Sequence, residues 1–185
     1  MCDISDRLAK IKTRLSDEAF LGNKGLSNEV GVHIFCYAPQ NEAMVCNFFN
    51  HLKAEIATPF HLIEQNLYQI FLSICEDKCI LDKIPAMEQK KGKVILQTQL
   101  QRVASPEVFV EKMVYTPHKN GDVLLLTGIG AVFPFMRAHK ILDNMQHIFS
   151  DIPILMLYPG EFDGQNLHLF GAFPDGNYYR AFNLI

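Results

Sequence analysis

Gly128 and Gly130 stand directly behind an apolar run, Val123-Leu124-Leu125-Leu126, where a phosphate-binding loop would follow its strand. The dinucleotide fingerprint fails because Phe133 occupies the place of its third glycine, and no Gly-Lys-Ser or Gly-Lys-Thr makes a P-loop. What survives is a glycine turn leading to Pro134 and a helix, whose N-terminal amides suit an anion, with Arg137 one turn inside to assist. The alternative is that both glycines shape a tight strand-to-helix turn while Arg137 pairs with a carboxylate.

A second group lies in Tyr158-Pro159-Gly160-Glu161-Phe162-Asp163-Gly164, where two carboxylates sit at i and i+2 beyond a strand end. Metal-assisted hydrolysis would need Glu161 and Asp163 to meet others, Glu42 or Asp122, and to leave coordination positions open. A turn-forming Asp beside a surface Glu has the same pattern. The seven histidines are scattered without a His-Glu-x-x-His pair, and Cys75 and Cys79 lack a second Cys or His pair nearby. No Gly-x-Ser-x-Gly elbow exists, and a nucleophile at Cys36 would need a histidine partner that spacing does not name. Tyr178-Tyr179-Arg180-Ala181-Phe182 has the composition of an interface hot spot, and equally that of a half-buried terminal strand.

Strands and helices must position these groups. Val123 to Leu126 and Ile154 to Leu157 read as strands buried on both faces. Between them Phe135, Ile141, Leu142, Met145 and Ile148 share one helical face, so the segment is a βαβ unit with parallel strands. Upstream, residues 3 to 20 form an amphipathic helix through Ile4, Leu8, Ile11 and Leu15. Val32 to Tyr37 is the first strand, stopped by Ala38-Pro39. Asn41 is the N-cap of a helix with Glu42 in its first turn and Val45, Phe48, Phe49, Leu52 and Ile56 buried. A short strand at 59–63 leads to a helix started by Asn66, and a helical insertion covers about 78–115, with Pro85 and Ser105-Pro106-Glu107 as start signals. Alternation over 166–173 and 178–184, with turns at Asp163-Gly164 and Asp175-Gly176, predicts two antiparallel strands at the C-terminal end. The expected fold is α/β: a mainly parallel sheet flanked by helices, three-layer and Rossmann-like, in a single domain over 1–185.

Composition narrows the partners. The 185 residues carry a net charge of −3 and 49% apolar residues, enough for a core without disulfide or metal. No basic block exceeds Lys90-Lys91-Gly92-Lys93, so direct nucleic-acid binding is disfavoured. No signal peptide or membrane-length apolar run is seen, and five cysteines without framework spacing fit reduced thiols. A cytoplasmic protein without cofactor or membrane association is expected.

The runs LLTGIGAVFPFMRAHKILDNMQ, IPILMLYPGEFDGQNLHLFG and NYYRAFNLI resemble the C-terminal half of the BrxB family, a small component of BREX phage-exclusion systems. Tyr37-Ala38-Pro39-Gln40-Asn41-Glu42 resembles the family's early Tyr-Asp-Pro and following Glu, with Ala38 standing where the pattern has Asp. The resemblance follows the whole chain in element order. It is specific over 122–185, good around 33–42 and faint between 64 and 115. It implies a setting: such proteins are encoded with a phosphatase-like PglZ protein, a DNA methyltransferase and a large ATPase. It carries no catalytic residue. The matching positions are Tyr37, Pro39, Glu42, Gly128, Gly130, Pro134, Arg137, Pro159, Gly160, Glu161, Gly171, Tyr179 and Arg180, with Tyr178 added from the aromatic patch. The expectation is a non-enzymatic subunit that docks on the PglZ-like protein, with other BREX components and a homodimer open as further partners. The alternative is a nucleotide- or phosphate-binding enzyme or sensor using the 128–137 turn.

Overall fold

The computed structural model describes residues 3–23, 31–145, 147–163, 166–175 and 182–185. The first helical stretch is two helices, α1 (Ile4–Leu15) and α2 (Glu18–Leu21), rather than one. Asp17 divides them: its backbone is extended, and its Oδ1 accepts from the Ala19 amide at 3.0 Å, so the side chain caps a new helix. Strand β1 (Val32–Tyr37) ends at Ala38-Pro39, and a 3-10 turn over Pro39–Asn41 feeds α3 (Glu42–Ala54). Asn41 does not cap with its side chain; its amide closes the turn on the Ala38 carbonyl at 2.8 Å. Val45, Phe49 and Leu52 are buried as expected, but α3 stops short of Ile56, which is fully exposed.

Strand β2 (His61–Asn66) starts two residues later than expected and runs further. Its last residue caps α4 (Leu67–Asp77), Asn66 Oδ1 accepting from the Tyr68 and Gln69 amides at 3.0 and 3.1 Å. The insertion holds α5 (Ile84–Lys91), α6 (Lys93–Val103) and α7 (Pro106–Met113). Strand β3 (Asp122–Thr127) is buried throughout. The crossover that follows is not one helix but a four-residue turn of helix, α8 (Ile129–Val132), and then α9 (Ala138–Met145). Pro134 stands between them, where its ring and missing N–H disfavour continuation. Because α9 ends at Met145, the next turn carries Phe149 into the core and leaves Ile148 40% exposed.

Strand β4 (Ile154–Phe162) is followed by β5 (Leu167–Leu169), β6 (Phe173–Asp175) and β7 (Phe182–Asn183). The main sheet has the order β2-β3-β4-β1-β7, and all its pairings are parallel. Strands β5 and β6 add an antiparallel hairpin to the far end of β4. Hence the single strand expected over 166–173 is broken by a turn into β5 and β6, which pair antiparallel, whereas the strand expected to be antiparallel within 178–184 pairs parallel to β1 at 182–183.

The sheet carries a helical layer on each face. Leu124, Leu126, Ile154 and Met156 pack with α4, α6, α7, α8 and α9; Val123, Leu125, Leu155 and Leu157 pack with α1, α2 and α3. Travel from β1 to β2 uses α3 on one face, and the return through β3 to β4 uses the helices of the other. Opposite directions on opposite faces are what crossovers of one hand require. Among the described residues no helix is long and apolar enough to cross a membrane.

Candidate functional site

Helices after β1 and β3 leave toward opposite faces, so the carboxyl ends of β1, β4 and β3 mark the switch point where open α/β sheets hold ligands. Tyr37 pairs in register with Pro159, and the Gly130 α-carbon faces the Pro159 ring, which brings three strand ends together. The β5–β6 hairpin leans over this point, with Phe170 against Gly130 and still 39% exposed. A β-carbon on Gly130 would meet the Phe170 ring at 2.9 Å, and the Phe170 amide donates to the Pro159 carbonyl at 2.9 Å. Phe173, from the same hairpin, packs at a tilt against Phe133, with 5.1 Å between ring centroids.

Gly128 has a related constraint. Its φ is +71°, a left-handed conformation, and a β-carbon there would lie 2.4 Å from the Asn66 Oδ1 that caps α4. The glycine turn is thus shaped by the cap beneath it and the aromatic ring above it. Helix α8 offers only four residues, too few for a strong dipole. Arg137 precedes α9 rather than lying one turn inside a helix, and its guanidinium carbon sits 5.5 Å from the Phe133 ring centroid.

On the α3 face, two carboxylates are each tied to two donors. Tyr37 donates its hydroxyl to Glu42 Oε2 at 2.7 Å, and the Cys46 thiol lies 3.5 Å from Glu42 Oε1. Thr127 donates to Glu64 Oε1 at 2.7 Å, and Lys53 donates to Glu64 Oε2. Glu42, Cys46 and Lys53 follow one line along α3, beside the buried stripe. Sequence reasoning missed Cys46, Lys53, Glu64 and Thr127. The i, i+4, i+11 polar line on α3 was a signal, but its partners come from distant strands.

Electrostatics follow from burial. Burial pushes the Cys36 thiol up to about 12, with Arg7 opposing and the Glu161 carboxylate adding to the rise. Burial, then the Glu42 carboxylate, raises Cys46 to about 11. Tyr37 is raised by burial and by its bond to Glu42. Burial alone would raise Glu64, but bonds from Lys53 and Thr127 hold it below the usual carboxylate range. Neither thiol is therefore a thiolate near neutral pH, the form a cysteine nucleophile needs.

Strand β4 runs on to Phe162, so Glu161 lies within it rather than beyond its end, and neither Glu161 nor Asp163 converges with the other carboxylates. Asp163 Oδ1 accepts from the Asn166 amide at 2.6 Å and its Oδ2 lies 3.2 Å from His168 Nε2, a turn-forming role. Glu161 is exposed and opposite His168 in the hairpin. Asp122 lies at the other end of β3, bonded to the Tyr115 hydroxyl and the Lys119 amide. Among the described residues no three His, Cys, Asp or Glu side chains gather as metal ligands. Tyr178, Tyr179 and Arg180 lie outside the described residues.

The family model described as "BREX protein BrxB" matches residues 63–184. A "BREX protein BrxB" of Bacillus cereus (strain H3081.97) is 37% identical over 98% of this chain and 97% of the relative. One from Escherichia coli O9:H4 (strain HS) is 30% identical over 97% of this chain and 90% of the relative. No solved structure gives a significant match. The chain belongs to the BrxB family, and with it to the BREX anti-phage system.

Proposed function

We propose that this chain serves BREX defence as a non-enzymatic interaction subunit, docking on the PglZ-like component. The observation that carries the reading is Phe170 seated against Gly130, because the chain's own hairpin takes the switch point where a substrate would bind. Two further facts support it: Glu42 and Glu64 are engaged by internal donors, and Cys36 and Cys46 stay protonated. Arg137, Glu161 and the 178–180 segment supply the contact, an arginine and aromatics being the side chains that most often anchor interfaces.

The test is capture of the PglZ-like protein by immobilised wild-type chain and by folded Arg137→Ala, Glu161→Ala and Tyr179→Ala variants. Weakened capture by at least one variant is expected. Full capture by all three would remove these residues from the contact. Other BREX components and a second copy of the chain are tested on the same support.

A further inference from the structure

Outside the strand ends, a cavity of about 300 Å³ opens between the insertion and the β3–β4 crossover. Gln101, Pro106, Pro134, Arg137, His139 and Lys140 line it. We infer that this cavity is a binding site for a small phosphorylated molecule, held by Arg137 and Lys140.

Three nitrogen-bearing side chains within four consecutive positions face one hollow, and among the described residues that line it none is a carboxylate. The nearest acidic residues along the chain, Glu107 and Asp143, are outside the lining. An arginine's planar fork and a lysine's ammonium are the two common phosphate donors, the first directional and the second a point charge. Their base is rigid: Met136 and Ala138, on either side of Arg137, are buried in the core. The opposite wall is also held, because Gln101 Nε2 donates to the Pro134 carbonyl at 2.7 Å. Helices α7 and α9 both begin at the rim, adding their positive ends to the charge of the side chains. The volume lies at the small end of ligand pockets, which suits a mononucleotide-sized anion rather than a polymer. This site is distinct from the Gly128–Gly130 turn, which Asn66 and Phe170 close.

The experiment is calorimetric titration of the full chain with pyrophosphate, AMP and a short single-stranded oligonucleotide at low ionic strength. Binding of pyrophosphate or AMP at one site per chain is expected, weakened about tenfold by Arg137→Ala and again by Lys140→Ala. Lys93→Ala, an exposed charge outside the cavity, should bind as wild type. Lack of binding by wild type would overturn the inference, as would binding that Arg137→Ala/Lys140→Ala leaves intact. Oligonucleotide binding without either small anion would overturn it in favour of a nucleic-acid contact. Because wild type alone can fail this test, poor folding of a variant does not protect the inference. Lys140 is not among the proposed partner contacts, so loss of anion binding in Lys140→Ala with normal partner capture separates the two readings.

Discussion

Tyr37, the last residue of β1, donates its hydroxyl to Glu42 in the first turn of α3 across 2.7 Å. The bond ties the strand end to the helix that leaves it, and the intervening turn is short because Ala38 and Asn41 close it through their backbones. Tyr37 is only 3% exposed, so its part is to fix the strand end against the helix rather than to meet a partner. Tyr37→Phe removes one donor from a part-buried carboxylate and is expected to cost about 1–2 kcal/mol in urea unfolding, with partner capture unchanged. An unshifted midpoint would show that the bond adds nothing.

The glycine turn is expected to be intolerant of side chains for two separate reasons. Gly128→Ala combines a left-handed backbone with overlap onto the Asn66 cap, whereas Gly130→Ala pushes on the Phe170 and Pro159 rings with no backbone strain. Each is expected to destabilise by about 1–3 kcal/mol, Gly128→Ala the more. Phe170→Ala in the Gly130→Ala background should recover part of the loss; thermal unfolding of the three chains checks it, and no recovery would contradict the contact.

His33 gives the fold a pH dependence. Burial, aided by Arg14, lowers it from 6.5 to about 4, so it stays neutral in the folded chain while the unfolded chain takes up a proton. Its contribution is complete above pH 6.5 and is lost as pH falls toward about 4, on the order of 3 kcal/mol at most. Urea midpoints at neutral and mildly acidic pH should therefore fall more for wild type than for His33→Leu. Equal falls would rule out His33 as the source.

Thiol reactivity should sort by environment. In a Cys2→Ser chain, Cys79 is exposed while Cys36, Cys46 and Cys75 are each wholly or partly buried, and burial raises all three. One thiol is expected to react quickly with an aromatic disulfide reagent under native conditions, and the others only as the chain opens. A second fast thiol assigned to Cys36 or Cys46 would contradict the protonated state and reopen nucleophilic chemistry.

Local signals made much of this fold legible. Continuous apolar runs at 123–126 and 154–157 announced buried parallel strands, and Asn66 announced a cap, because each depends on neighbours in sequence. Helix lengths failed where one residue outweighed periodicity: Asp17 started a new helix, and Pro134 split the crossover and exchanged Ile148 for Phe149. The direction of β7 was hidden because a two-residue pairing leaves almost no pattern. At the strand ends the candidates Tyr37 and Glu42 were found singly, but their bond, the Thr127–Glu64 bond and the Phe170–Gly130 contact join separate elements. Such contacts follow from the order of strands, which hydrophobic period does not encode.

Co-expression with a PglZ-like BREX protein, followed by size-exclusion chromatography with light scattering, tests the interaction reading most directly. A single species whose mass is a whole-number sum of both chains is the expected result, stable to dilution and lost with contact-face variants. Separate elution of the two proteins, each at its own mass, would contradict the proposed docking.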